Sequence, residues 1–214
     1  TAYVDLGSLY LQFDKLDLAR EAFDSALELL QPGKNQAVRL ANAFIKLDEL
    51  DMAYKTYRKA QSLGTTDFHY QFANLQGMRR DYQGMVESFL ELLHKTPTYL
   101  RTVQNSLNRN LRLQTEPENG ELVRTELLKA AQRYPDDTIF PEMLVWYFTQ
   151  EKDFSSAFIH ARSLDLRSKG IGLNIMELGN TAAANDDLET AMECFGYVAA
   201  KGVDSPYFFT ARNE

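Results

Sequence analysis

The sequence predicts an all-α protein, a right-handed superhelical solenoid of about six helix-turn-helix repeats. Three observations predict it: one register position recurs at a nearly constant interval, a large residue follows it four places later, and turn-forming residues fill the gaps. The recurring position is Ala19, Ala53, Met85, Val123, Ala157 and Ala191, with steps of 34, 32, 38, 34 and 34 residues. The large residues in step with it are Phe23, Tyr57, Phe89, Leu127, Ala161 and Phe195, so only the fifth copy shrinks. Both positions fall on the second helix of each pair.

The first helices carry the other half of the pattern: Leu6-Gly7 with Tyr10, Leu40-Ala41 with Phe44, Phe72-Ala73, Leu144-Val145 with Phe148, and Leu178-Gly179. Glycine costs about 1 kcal/mol in a helix relative to alanine. Gly7 and Gly179 therefore mark places where two helix backbones approach, and a larger side chain there is expected to overpack.

Turns within pairs pair a charged residue with an apolar one: Lys15-Leu16 after Asp14, Glu49-Leu50 after Asp48, Asp81-Tyr82, Asp153-Phe154 and Asp187-Leu188. Asp accepts hydrogen bonds from the free N–H groups that open a helix, so these aspartates are expected to be caps. Between pairs, Pro32-Gly33, Thr96-Pro97, Tyr134-Pro135 and Lys201-Gly202 stop one repeat and start the next. The fourth copy carries extra residues, and Pro117 and Gly120 suit a helix poorly, so a projecting loop is expected from Gln114 to Gly120. The chain reads as one array over 1–214, with repeats 1–33, 34–66, 67–97, 98–137, 138–170 and 171–204, and 205–214 opening a further pair.

The spacing of Tyr3, Leu6, Gly7, Tyr10, Ala19, Phe23, Ala26 and Pro32 resembles the tetratricopeptide repeat, and the likeness runs through nearly the whole chain. That resemblance implies a non-enzymatic scaffold whose first helices line an inner groove for a protein or peptide. It also implies a role for an Asn just after the small residue of the first helix, which Asn42, Asn74 and Asn180 satisfy, with Trp146 standing there in the fifth copy. The carboxylate clamp that grips chaperone tails needs lysines on adjacent first helices. Val4, Val38, Tyr70 and Met176 occupy that kind of place, which argues against a chaperone-tail receptor.

The net charge of −7 argues against a general nucleic-acid partner, which attracts basic surfaces. A single cysteine, Cys194, excludes an internal disulfide and Cys-rich zinc frameworks. His69, His94 and His160 fit no two-His metal motif, and no phosphate-cradling or nucleophile-elbow motif occurs. No cofactor, metal or catalytic group is expected, and no apolar run is long enough for direct membrane insertion.

The sharpest polar cluster lies in the fourth copy. Leu100, Val103, Leu107 and Leu111 share one helical face, and Arg101, Asn105, Asn108 and Arg112 fall opposite. From Lys95 to Leu113 there is no acidic residue, so this face is suited to a partner with acidic or C-terminal carboxylate groups. The expected groove residues are Asn42, Asn74, Asn105, Asn180, Arg101, Asn108, Arg112, Tyr70 and Trp146.

The chain starts without Met and ends abruptly, so it reads as a segment of a longer bacterial protein. The stretches 178–185 and 202–208 are similar to those of long exported bacterial repeat proteins. That likeness implies a periplasmic or envelope-associated location, with a cytoplasmic one as the alternative. It also implies a second role, a spacer or assembly segment of an envelope or secretion-associated complex.

Overall fold

Helix and turn alternate because short turns join the two helices of five pairs and longer links separate one pair from the next. A computed structural model describes residues 2–64, 68–113, 115–202 and 206–213. Gln114 of the expected loop, positions 65–67 where the second and third repeats were expected to meet, 203–204 at the end of the sixth repeat, and 205 and 214 of the further pair lie outside the described residues. Among the described residues the chain is all-α, with helices in repeated pairs and no strand. None of these helices is long and apolar enough to cross a membrane.

The chain divides into two compact units, Thr1–Phe89 and Leu90–Glu214. The first holds α1 (Ala2–Gln12), α2 (Leu16–Glu28), α3 (Lys34–Lys46), α4 (Leu50–Ser62) and α5 (His69–Met78). Helix α6 (Tyr82–Lys95) supplies residues to both. The second unit continues with a 3-10 turn (Pro97–Tyr99), α7 (Leu100–Leu111), α8 (Pro117–Arg133), α9 (Ile139–Gln150), α10 (Phe154–Ser168), α11 (Leu173–Ala183), α12 (Leu188–Ala199) and α13 (Phe208–Asn213).

Both recurring columns are core. All residues of the two columns, from Ala19 and Phe23 to Ala191 and Phe195, keep at most 8% of their surface exposed. In the first unit the large residue of one pair meets the first helix of the next: Phe23 lies edge-on to Phe44 at 5.3 Å, and Tyr57 contacts Phe68 and Phe72 at 5.1 and 5.8 Å. Such aromatic pairs add about 0.5–1.5 kcal/mol each beyond area burial. At the small residues, where two helix backbones were expected to approach, it is the aromatic ring of the second helix that takes up the space. A Cβ on Gly7 would lie 2.2 Å from the Phe23 ring, and one on Gly179 would lie 2.7 Å from the Phe195 ring.

Turns within five pairs share one hydrogen-bond pattern. The Lys15 N–H donates to the Tyr10 carbonyl at 3.0 Å and the Asp14 N–H to that of Leu11 at 3.1 Å. Glu49 and Asp48, Asp81 and Arg80, Asp153 and Lys152, and Asp187 and Asp186 repeat it. The middle residue is left-handed each time, with φ of 55°, 61°, 59°, 59° and 65°, as this helix ending requires.

The aspartates therefore divide into two roles. Asp81, Asp153 and Asp187 cap the following helix, accepting from the N–H groups of Gly84, Ser156 and Thr190, each at 3.0 Å. Asp14 and Asp48, expected to be caps, instead occupy the left-handed place and end the preceding helix. Lys15 and Glu49 then stand at the cap position without a side-chain bond. The left-handed region accepts Asp more readily than most residues, which favours this use.

Arg80 and Lys152 bear that conformation without such tolerance, and both are exposed. Replacing either by glycine is expected to stabilise the protein by about 1 kcal/mol, read as a higher midpoint in urea unfolding. A lower midpoint would show that side-chain contacts, not backbone strain, govern these turns.

The loop expected from Gln114 to Gly120 is shorter than predicted. Helix α8 begins at Pro117 and runs 17 residues, so the fourth copy takes up its extra length as helix. Proline in the first turn lacks only an N–H that would be unsatisfied there anyway. Gly120 is buried in that turn, where a Cβ would approach the Tyr147 hydroxyl at 3.3 Å.

Candidate partner-binding surfaces

The first helices bury part of their apolar residues and leave polar side chains exposed, while α1 also keeps Tyr3, Leu6 and Leu9 exposed. In the first unit Ser8 of α1 and Asn42 of α3 line one open groove, together with Val4, Asp5, Arg39 and Lys46. Asn42 is exposed there. Asn74, at the equivalent register, behaves differently: its amide donates to the Tyr70 carbonyl of its own helix at 2.8 Å. Tyr70 is half-buried, with its ring 6.3 Å from that of Phe89. In the second unit Asn180 is exposed on α11. Equal register thus leaves two asparagines exposed and ties the third to its own helix.

The fourth-copy face is also divided. Val103, Leu107 and Leu111 are buried, while Arg101 and Asn105 are exposed on α7. Asn108 is drawn toward α9, where it donates to Gln150 Oε1 at 3.3 Å. Arg112 lies just past the helix in a left-handed conformation, φ 47°, so it leaves the face on which continued helical periodicity would put it. The structure leaves Arg101 and Asn105 as the open polar pair of that face.

Trp146 of α9 is half-buried and lines a pocket between α9, α10 and α11. The origin of this pocket is legible in pairs of positions 16 apart. Gly7 faces Phe23 and Gly179 faces Phe195, small against large, and Ala41 with Tyr57 and Ala73 with Phe89 keep the same sizes. The fifth copy reverses them, with Val145 at the small position and Ala161 at the large one, and both residues line the pocket. The shrunken Ala161 stands out in the sequence, whereas Val145 figures there only as one of the first-helix residues. Comparing the two columns at that spacing would have exposed the exchange.

Beside the pocket, Asp165 joins consecutive repeats. Its carboxylate accepts from the Gly172 N–H at 3.0 Å, from the Tyr197 hydroxyl at 2.9 Å and from Lys201 at 2.5 Å. Lys201 also donates to the Gly170 carbonyl at 2.9 Å and lies 5.0 Å from the Tyr197 ring centre. Burial works to raise the Asp165 pKa, but the bonds from Lys201, Tyr197 and Gly172 outweigh it and hold the carboxyl below its ordinary value.

Other titratable groups are placed as packing elements. Burial pushes the Cys194 thiol up to about 12, with Glu193 and Asp187 adding to the effect, so it is protonated near neutrality. His160 stacks on Phe148 at 5.4 Å, and burial lowers its pKa. His94 bonds Asp137 at 2.6 Å and stacks on Tyr134 at 3.8 Å. Among the described residues no group of three His, Cys, Asp or Glu side chains is placed to hold a metal.

Comparison with known proteins agrees with the repeat pattern. The tetratricopeptide repeat family model matches residues 1–29 and 37–63. Among solved structures, the chain is similar to the one described as the crystal structure of YrrB, a tetratricopeptide-repeat protein with an unusual peptide-binding site, at 16% identity. That match covers 99% of this chain and 91% of the other with a TM-score of 0.34, too low to bear on how this chain is arranged. No curated protein matches significantly.

Proposed function

We propose that this chain, which carries tetratricopeptide repeats, is a non-enzymatic protein-interaction scaffold that holds a peptide or protein segment against its first helices. The observation that carries the reading is the groove of the first unit, where Ser8 and Asn42 from successive repeats line one opening, Asn42 on the face of α3 left exposed by its buried Ala37, Leu40, Ala41 and Phe44. An extended peptide offers one donor and one acceptor per residue, and an exposed Asn amide can satisfy both. Within the second unit, Arg101 and Asn105 of α7 offer a contact of their own, suited to a carboxylate through the flat guanidinium.

The test is binding to an array of immobilised peptides by the wild type and by an Asn42→Ala, Arg101→Glu variant. Each lost hydrogen bond is expected to weaken binding about five-fold, and the charge reversal to affect acidic peptides most. Unchanged binding across the array would sink this site assignment.

A further inference from the structure

The exchanged sizes of Val145 and Ala161 leave a pocket whose chemistry differs from that of the other surfaces. Trp146, Val145, Leu164 and Leu178 form apolar walls, Glu142 lies within it, and Glu177 stands exposed at its edge. Asp165 also borders the space but is already neutralised by Lys201. Among the described residues lining the pocket none is basic, so its wall presents the two glutamates with no cation of its own.

We propose that this pocket receives an arginine or lysine side chain of a partner polypeptide, its charged head between Glu142 and Glu177 and its stem against Trp146. The inference rests on the scaffold reading above and adds the chemistry of one anchor. Tryptophan offers the best aromatic face for a cation, and a basic side chain has an apolar stem that can lie along hydrophobic walls. An acidic guest would be repelled. A purely apolar guest would strip water from the carboxylates without replacing it. Burial already raises the Glu142 pKa even though a hydrogen bond from Thr138 works the other way, so that carboxylate is partly desolvated and gains from an arriving cation.

Trp146 is the only tryptophan in the chain, so its emission reports directly on this pocket. The experiment titrates the protein with acetyl-Leu-Arg-Leu-amide and with the same peptide carrying neutral citrulline in place of arginine. The arginine peptide is expected to change the emission in a saturable way, with at least ten-fold weaker binding of the citrulline peptide. A Glu142→Gln, Glu177→Gln variant, checked for native helicity by circular dichroism, is expected to lose about ten-fold toward the arginine peptide and little toward the other.

Equal responses to the two peptides, no saturation of the arginine peptide by ~10 mM, or an unaffected double variant would each overturn the proposal. These outcomes are separable from the scaffold reading. If the pocket fails while Asn42→Ala, Arg101→Glu still weakens array binding, the scaffold stands without this anchor.

Discussion

Replacing Gly179 by leucine is expected to cost about 3 kcal/mol, the upper part of the range for forcing volume into a packed core. The first added carbon alone would sit 2.7 Å from the Phe195 ring and 2.9 Å from the Cys194 Cβ. A ring can rotate, but a Cβ moves only with its backbone, so α11 and α12 would have to separate. The measurement is urea unfolding at constant slope. Gly196 supplies the control, because it lies in α12 with nothing within 4 Å of an added Cβ. Gly196→Ala is expected to stabilise by roughly 0.5–1 kcal/mol, the ordinary helix preference. Were Gly179→Leu as harmless as Gly196→Ala, close backbone contact would not be what the first-helix glycine secures.

Asp165→Ala should be similarly damaging, about 3 kcal/mol near neutral pH, because it removes a carboxylate whose side chain is only 10% exposed and strands Lys201 and Tyr197. The loss should depend on pH with a definite sign. The folded pKa of Asp165 lies below its ordinary 3.8, so its contribution is present above that value and disappears as pH falls through the folded pKa. The Lys201 pKa is raised above 10.5, chiefly by its bond to Asp165, so its contribution is present below that value and is lost as pH rises through the folded one. The tie is thus whole between roughly pH 4 and pH 10. Unfolding titrations of wild type and variant at neutral pH and in acid give the check. A difference between them that did not shrink in acid would show that charge is not the source of the effect.

Much of the fold could be read from residue spacing, since the positions that recur are those whose size is fixed by neighbouring helices. Ala19 and Phe23 repeat because a cramped contact and its filling ring must reappear in each pair. The turns were half legible. An Asp beside a helix start can end the helix before it or open the one after: Asp14, two places before Leu16, takes the left-handed place, and Asp81, directly before Tyr82, takes the cap. Pro117 misled for a related reason: proline signals either a loop or the first turn of a helix, and composition does not distinguish them. The surfaces were least legible. Asn42, Asn74 and Asn180 share a register, yet whether an amide faces solvent or its own helix is decided by local packing that leaves no mark in the periodicity.

The reversed volumes at Val145 and Ala161 leave the step from one module to the next at 34 residues on either side. A module can therefore hollow itself out while its neighbours keep their seating, with nothing inserted and nothing deleted. Chains of this design can acquire differently placed recesses by two point changes apiece, and the residues flanking those two sites then decide which guest each recess admits.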